Sequence, residues 1–263
     1  MEFPESKALV TGKLTAENFN ITIGESNLNL TLEIGARIEE IWKDKQVESK
    51  ERGADIYNGV SYRVNNWSYD QKTLGLELSL YDYKHRLGLI TMIKNGEISS
   101  YDYPHNGCFV GATVLTSDDL YIMVKLSGTS MNLNTLEMLG GMVETETQFS
   151  DQNFLFDVLY QELEEEAGIT NSDITQCYLE QCYLESMFTG GTSHFGFYFN
   201  VVLDKSSSEL QKRFVYNQDT DIESLVFLSR EEYLITLKDM SNNKRLIASI
   251  IESHPDSQGF ILE

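Results

Sequence analysis

The chain is poor in cysteine, proline and positive charge. Its three cysteines include no C-x-x-C pair, and its four histidines show no metal-ligand spacing. Such a set is typical of a reducing compartment and argues against a disulfide framework or a zinc site. We therefore expect a cytoplasmic protein, or a nuclear one if the organism is eukaryotic.

Acidic residues outnumber lysine and arginine two to one. The 41 acidic and 20 basic side chains give a formal net charge of −21 at pH 7. A surface of this charge repels phosphate backbones, so we expect no nucleic-acid partner. An anionic small molecule would need a metal ion or a local group of basic side chains in order to bind.

Long apolar runs are absent as well. The sequence has no stretch of about 18 apolar residues, and its first residues, MEFPESKALV, do not follow the pattern of a signal peptide. We expect no association with a membrane. The sequence leaves the oligomeric state open.

The hydrophobic pattern predicts a strand-rich α+β fold. Alternating apolar residues predict strands within 8–32, 60–70, 73–83, 107–116, 119–127, 174–188, 194–203 and 223–229. Helical spacing predicts helices at 35–49, 154–167, 230–239 and 242–253. We interpret the pattern as a smaller N-terminal α+β domain over residues 1–100 and a second domain, with a mixed sheet and packed helices, over 101–263.

Residues 160–170 read YQELEEEAGIT and place four glutamates at the end of a predicted helix. The helix dipole makes that end negative, and Glu162 forms like-charged pairs with Glu165 and Glu166, three and four residues on. The arrangement costs stability unless a positive group lies among the carboxylates. Two interpretations are open at this point: an exposed acidic helix end, or a site for a hard divalent cation.

A glycine pair precedes this helix, in the segment LGGMVE at 139–144. Glycine allows the backbone to approach a ligand closely. Together the two segments resemble the Nudix box, G-x5-E-x7-R-E-[apolar]-x-E-E-x-G-[apolar]. Gly141 matches the first glycine of that box. The second half is matched in full by Glu162, Leu163, Glu165, Glu166, Gly168 and Ile169.

The match departs from the box in two places. Gln161 replaces the arginine, and the loop between Gly141 and Glu162 is about six residues longer than the box allows. The glutamate in the middle of the box has no clear counterpart, so both members of the family's Glu–Arg pair are absent. Because both are lost together, no charge is left without its partner.

Over roughly residues 35–215 the chain also resembles the divergent Nudix family that hydrolyses UDP-glucose and UDP-galactose. The similar segments are IEEIWKDK (38–45), LELSLYDYKHRLG (76–88), VGATVLTSDDLYIMVK (110–125) and GGMVE (140–144). The resemblance implies a Nudix α/β/α sandwich with a mixed sheet, preceded by a smaller N-terminal α+β domain.

The same resemblance implies a Mg²⁺-dependent hydrolase, with Mn²⁺ as a possible substitute, that cleaves a UDP-sugar into UMP and a sugar 1-phosphate. Its expected catalytic residues are Glu162, Glu165 and Glu166. These three are also the expected metal ligands. The Gly140 carbonyl and Glu144 are the further candidate ligands.

Tyr83, Arg86 and Gly141 are the predicted substrate contacts. The first two lie in YDYKHRLG, which offers an aromatic face beside positive charge. The competing interpretation of this segment is a strand end with ordinary surface charges. His194, in the glycine-rich segment at 187–196, is interpreted as a structural or exposed histidine in a hairpin loop.

Two other functions stay open. One is a Nudix hydrolase for another nucleoside diphosphate joined to a second group, such as ADP-ribose or a dinucleoside polyphosphate. The other is a protein that uses the Nudix fold for binding without catalysis. The role of the extended loop at 145–152, as a lid or as simple added length, is also open.

Overall fold

The computed structural model describes residues 7–51, 56–100, 102–127, 135–144, 151–186, 193–214 and 222–240, together with Ala248 and Ile251. The strands are β1 (Lys7–Leu14), β2 (Phe19–Ile23), β3 (Val60–Tyr69), β4 (Leu74–Asp82), β5 (Gly107–Leu115), β6 (Tyr121–Leu126), β7 (Leu136–Glu137), β8 (Ile174–Ser186), β9 (Ser193–Leu203) and β10 (Ile222–Leu228). The helices are α1 (Leu32–Glu51), α2 (Tyr83–Lys94), α3 (Phe154–Ala167), α4 (Ser207–Phe214) and α5 (Arg230–Met240). This is an α+β fold, as predicted.

Most predicted elements are present close to their expected bounds. The helix predicted at 154–167 is α3. Ser229 precedes α5 in a capping-box arrangement, because its amide donates to Glu232 Oε2 at 2.9 Å and its Oγ accepts from the Glu232 amide at 3.4 Å. The helix predicted at 242–253 lies outside the described residues except for Ala248 and Ile251, which are helical.

The strand pattern predicted up to residue 32 is wrong at its end, where α1 begins at Leu32. Thr31 explains this start. Its Oγ1 accepts a hydrogen bond from the Ile34 amide at 3.3 Å, and its carbonyl accepts one from the Gly35 amide at 2.9 Å. A cap of this kind satisfies backbone amides at the helix start, and an alternating hydrophobic pattern does not take such caps into account.

The strand pattern predicted through Tyr83 is also corrected, because the chain becomes helical at that residue. Asp82 caps α2, its carboxylate accepting a hydrogen bond from the His85 amide at 2.9 Å. Tyr83 and Arg86 therefore lie in the first turn of a helix rather than at a strand end. The short helix α4 is a second element that the pattern did not predict.

The chain forms two compact units, each assembled from separate stretches of sequence. Unit 1 contains Met1–Phe109, Met142–Val158 and Cys182–Phe197. Unit 2 contains Val110–Gly141, Leu159–Gln181 and Tyr198–Glu263. The predicted division of the chain near residue 100 stays a prediction.

In unit 1 a mixed sheet carries a pair of helices. Strand β4 runs parallel to β2 and antiparallel to β3, and β3 in turn meets β5 at Arg63 and Gly107. Helices α1 and α2 contact each other. Their shared core consists of Ile34, Ile38, Ile41, Leu89 and Met92.

In unit 2 strand β6 pairs antiparallel with β10, β7 and the end of β5. The rings of Tyr121 and Tyr233 stack 4.7 Å apart, and the Tyr233 hydroxyl lies 3.3 Å from Thr113 Oγ1. Asp173, 2% exposed, bonds to Arg213 Nη2 at 3.1 Å and to the Thr170 amide at 2.9 Å. The Tyr233 hydroxyl and the Asp173 carboxylate are thus both hydrogen-bonded within the unit.

No helix in the described part of the chain combines the length and the apolar character that crossing a bilayer requires.

Candidate functional site

The acidic helix ends where the sequence predicts. Gly168 adopts a φ of 66°, a left-handed conformation that favours glycine. Its amide donates to the Glu164 carbonyl at 2.9 Å, and the Ile169 amide donates to the Leu163 carbonyl at 3.1 Å. This C-terminal cap fixes the last turn of α3 and the directions of its carboxylates.

Glu166 lies against the first residue of the Gly140–Gly141 pair, here called the glycine turn. Its Oε2 accepts a hydrogen bond from the Gly140 amide at 2.7 Å. Gly140 has a φ of 135°, and a Cβ at this position would lie 2.2 Å from the Val110 carbonyl oxygen. Only glycine fits here, for reasons of both backbone conformation and space.

Glu162 lies against the second glycine. A Cβ at Gly141 would come within 2.4 Å of Glu162 Oε1 and 2.6 Å of its Oε2. The Gly141 carbonyl accepts a hydrogen bond from the Val110 amide at 2.9 Å, which holds the turn against β5. The structure therefore brings Glu162, Glu166, Gly140 and Gly141 together, although Gly141 and Glu162 stand 21 positions apart in the chain.

Glu165 differs from these two glutamates. It is exposed, and its Oε1 accepts a hydrogen bond from Gln161 Nε2 at 2.8 Å. Gln161 is the residue that replaces the arginine of the Nudix box. Its amide therefore contacts the middle carboxylate of the acidic run within the same helix.

The donor set at the glycine turn fits a magnesium ion. In the described part of the chain no three His, Cys, Asp or Glu side chains form a metal-binding group. Mg²⁺ usually needs fewer protein ligands, because it keeps several waters and binds through one or two carboxylates plus substrate phosphates. Glu162 and Glu166, four residues apart on α3, supply two such carboxylates.

The segment after the glycines lies between two strands of unit 1. The Val143 amide donates to the Cys108 carbonyl at 3.0 Å, and the Val143 carbonyl accepts from the Tyr62 amide at 2.8 Å. The next residue, Glu144, forms an antiparallel bridge with Ser61. The backbone of this candidate metal ligand is therefore fixed by β3 and β5.

Arg86 of α2 is half-buried near two other predicted site residues. Burial lowers the pKa of its guanidinium, and the negative charge of Glu144 partly offsets that effect. The Tyr83 ring packs against Trp42, edge to face, at 6.0 Å. Tyr83 and Arg86 thus share the first turn of α2. Lys84 instead pairs with Glu39.

The sequence interpretation left His194 out of the site, and the structure shows it to be buried. It is 3% exposed, and its ring contacts those of His105 at 4.4 Å and Phe109 at 6.2 Å. Burial, His105 and Arg86 lower the pKa of His194 well below the usual histidine value. No spacing pattern predicts this contact, because His105 precedes β5 and His194 lies in β9, far away in the sequence. The loop at 145–150 and the residues at 187–192 lie outside the described part of the chain.

No family model and no curated protein matches this sequence. Among solved structures, DR0079 from Deinococcus radiodurans is 16% identical, with 56% of this chain and 82% of that chain covered and a TM-score of 0.39. A Nudix hydrolase from Nitrosomonas europaea is 20% identical, with 56% and 86% covered and a TM-score of 0.39.

The Nudix domain of Shewanella oneidensis NrtR, solved with ADP ribose, is 12% identical, with 53% and 87% covered and a TM-score of 0.38. Likenesses this distant assign no activity to the chain. The chemistry open to this chain is therefore defined by the residues and the geometry of the site.

Proposed function

We propose that the chain is a Mg²⁺-dependent pyrophosphohydrolase of the Nudix superfamily that cleaves a UDP-sugar into UMP and a sugar 1-phosphate. The observation that carries the proposal is the convergence of Glu162 and Glu166 on the Gly140–Gly141 turn. The E-L-x-E-E-x-G-[apolar] run supports it as well, because the matched residues form the end of α3 and the cap that follows it.

In this proposal Glu162 and Glu166 hold the metal, with Glu165 and the Gly140 carbonyl as further candidate ligands. A bound Mg²⁺ would neutralise the pyrophosphate and polarise a phosphoryl oxygen. Glu162 or a loop acid orients the attacking water and accepts its proton. Water attacks one phosphorus, the bond from that phosphorus to the bridging oxygen breaks, and the second phosphate leaves.

The departures from the box are compatible with this chemistry. The Glu–Arg pair that the family uses to stiffen its loop has no counterpart here. Two hydrogen bonds supply part of that stiffening here. Glu166 accepts one from the Gly140 amide, and the Gly141 carbonyl accepts the other from the Val110 amide. The two glutamates that face the turn do not depend on the arginine position.

The nucleoside and the sugar are the finer part of the proposal and rest on the resemblance of segments such as 38–45 and 76–88. Tyr83 and Arg86 in the second of these segments are the proposed substrate contacts. ADP-ribose and dinucleoside polyphosphates are the alternative substrates of the same chemistry, because the metal site selects a pyrophosphate and not a base.

A binding protein without catalysis is the second candidate function. Gln161 in place of arginine favours it, because its amide contacts Glu165, one of the expected ligands. The convergence of Glu162 and Glu166 on the glycine turn argues against it, because carboxylates at a helix C-terminus oppose the helix dipole without a compensating charge. Turnover decides between the two.

The test is UMP release from UDP-glucose with Mg²⁺, with and without EDTA, beside a parallel reaction with ADP-ribose. The informative variant is Glu166→Gln, because an amide oxygen can still accept from Gly140 while the charge is lost. Glu164→Gln, on the same helix but exposed, is the matched control. We expect metal-dependent UMP release, a loss of at least 100-fold in kcat for Glu166→Gln, and little change for Glu164→Gln.

Activity on ADP-ribose alone would keep the metal site and discard the UDP-sugar assignment. Turnover that survives Glu166→Gln would show that the metal site is elsewhere. No turnover of either substrate would favour the binding protein.

A further inference from the structure

A cavity of about 720 Å³ lies in unit 1, beside the first turns of α1. Its other wall is formed by the end of α2 and by the chain that follows that helix. The volume is in the range of sites that hold small organic molecules. None of the lining residues belongs to the glycine turn or to α3, so the cavity is a separate candidate binding site.

The buried part of the cavity lining is apolar and belongs to the core that α1 and α2 share. Ile34 and Met92 are 7% and 4% exposed and are members of that core. Ile98 and Tyr103 are partly buried and pack against the same core. This surface is aliphatic and aromatic, so it fits the apolar body of a ligand.

Hydrogen-bonded helix caps hold both walls of the cavity. At the end of α2 the Glu97 amide donates to the Met92 carbonyl at 2.9 Å, and the Gly96 amide donates to the Ile93 carbonyl at 3.0 Å. With a φ of 72° at Gly96, these bonds form a Schellman motif. Thr31 caps the start of α1 in the way described above. The cavity is therefore preformed between two capped helices.

The charged part of the lining, here called the rim, consists of four carboxylates and one guanidinium, which gives a formal charge of −3. The guanidinium of Arg37 is already engaged. Its Nε and Nη2 donate to Glu97 at 2.9 and 3.2 Å, and its Nη1 donates to Glu40 at 3.1 Å. The other two acids, Glu33 and Asp102, are exposed, and neither is hydrogen-bonded or paired with any residue that the structure describes.

The charge of the rim decides which ligands the cavity can hold. An anion would meet a net negative charge and a guanidinium whose three nitrogens are engaged, so we expect no binding of phosphate or a nucleotide. A cation would find Glu33 and Asp102 available as partners. The Tyr103 ring in the lining adds to this preference, because aromatic rings attract cations.

We propose that this cavity binds an organic cation with an apolar body, such as a primary amine joined to an aromatic or alkyl group. The apolar body contacts Ile34 and Met92, and the ammonium group lies between Glu33 and Asp102. The cavity contains none of the residues assigned to hydrolysis. Binding alone tests the site, whether or not the protein cleaves a pyrophosphate.

The first experiment is a methionine-methyl ¹³C NMR titration of the full chain, because Met92 lies in the lining. The variant Met92→Leu identifies its signal among those of the eight methionines. The probes are phenethylamine, phenethyl alcohol and phenylacetate, which share an apolar body and differ in charge. We expect only the amine, at millimolar concentration, to shift the Met92 signal, and the affinity to fall as salt is added. An equal shift with the alcohol or phenylacetate, or none with the amine, would overturn the proposal.

Two conservative variants test the rim. Glu33→Gln and Asp102→Asn each remove one exposed charge, and thermal unfolding checks that both variants fold. We expect each variant to weaken phenethylamine binding about threefold and the double variant to weaken it about tenfold. Asp44→Asn is the matched control, because Asp44 is an exposed acid on α1 outside the lining. Equal effects of all three single variants would assign binding to the overall charge of the protein and contradict a defined site.

Ala36→Phe tests the cavity itself. Ala36 is an exposed lining residue, so a larger side chain there takes up ligand space without entering the core. We expect phenethylamine binding to weaken on the order of tenfold, because the space for its ring is reduced. Val47→Phe is the control, since Val47 is 58% exposed on the same helix and lies outside the lining. Unchanged binding by a folded Ala36→Phe variant would place the amine elsewhere and refute the proposal.

Discussion

The Glu166 carboxylate accepts a hydrogen bond from the Gly140 amide at 2.7 Å, and this bond joins the end of α3 to the glycine turn. Glu166 therefore has two roles in the proposed site, as a charged metal ligand and as the acceptor that holds the turn. A neutral amide can replace it in the second role but not in the first. This difference is why Glu166→Gln is more informative than Glu166→Ala.

Gly140→Ala should be strongly destabilising. The added Cβ would lie 2.2 Å from the Val110 carbonyl oxygen, and φ is 135°. We expect a loss of about 3 kcal/mol or more in the free energy of unfolding, measured by urea denaturation. Gly12→Ala is the matched control, because Gly12 has a φ of 131° but nothing within 4 Å of its added Cβ.

The Gly12 variant should show the backbone cost alone, on the order of 1–2 kcal/mol. Equal losses for the two variants would mean that the contact with Val110 relaxes and that the turn is not rigid.

Gly141→Ala should separate activity from stability. Its Cβ would meet the Glu162 carboxylate at 2.4 Å, and that carboxylate is the far end of a flexible side chain. The side chain can move aside, so we expect a change of less than about 1 kcal/mol in unfolding free energy. Because Glu162 is displaced from the turn, kcat for UMP release should fall at least tenfold. Unchanged kcat in a folded variant would remove Glu162 from the site.

The stability of the protein should fall as the pH is lowered from about 6.5 to 5. Burial lowers the pKa of His105 to about 3 and the pKa of His194 well below its usual value. Below about pH 6.5 the unfolded chain therefore binds protons at these histidines that the folded chain does not bind. Each such histidine lowers the unfolding free energy by about 1.4 kcal/mol for each pH unit of acidification. Urea denaturation at pH 7, 6 and 5 measures the slope.

His194→Phe should reduce that slope by about one proton. The measurement stays above pH 5 because carboxylates with lowered pKa, such as Asp82, contribute their own loss only at lower pH. A flat profile between pH 6 and 5 would mean that the two histidines are accessible to protons in the folded state.

Asp173→Asn should destabilise unit 2. Burial would raise the pKa of Asp173, but hydrogen bonds from Arg213 and Thr170 outweigh burial and lower that pKa to about 2. The substitution removes the charge that Arg213 pairs with, so we expect a loss of about 2 kcal/mol at pH 7, since Arg213 is partly exposed. Thermal unfolding measures it.

The control for this change is Asp118→Asn, whose side chain is exposed and accepts hydrogen bonds from Ser207. It should cost less than about 1 kcal/mol. The destabilisation by Asp173→Asn should disappear towards pH 2, where the wild-type carboxylate also becomes neutral. A difference that persists at that pH would assign the effect to packing.

The sequence predicts those parts of the fold that depend on local patterns. The bounds of α3 follow from its apolar spacing and its glycine stop, and the start of α5 follows from Ser229 and Glu232. The start of α1 was missed because a threonine cap and an alternating run overlap in the same residues. The alternating hydrophobic pattern does not decide this choice, because the cap and the burial of the helix face decide it together.

The candidate site likewise has parts that a local motif predicts and surroundings that depend on tertiary packing. Glu162, Glu166 and the glycine pair are predicted from one motif, and the structure brings them together. His194 could not be predicted, because its burial depends on His105 and Phe109, which are distant in sequence. The environment of His194 is therefore set by tertiary packing, which sequence spacing does not predict.

The segment from Met142 to Glu144 is held by a residue from the early part of the chain. Tyr62 donates to the Val143 carbonyl, and the ring of Tyr62 also packs against Phe154, at the start of the helix that carries the glutamates. A fragment that begins at residue 101 would lose both contacts and expose the Val143 carbonyl. Truncation of the gene at that point would therefore remove contacts that hold residues 142–144 and the first turn of α3, and the shortened product should be less stable than the full chain.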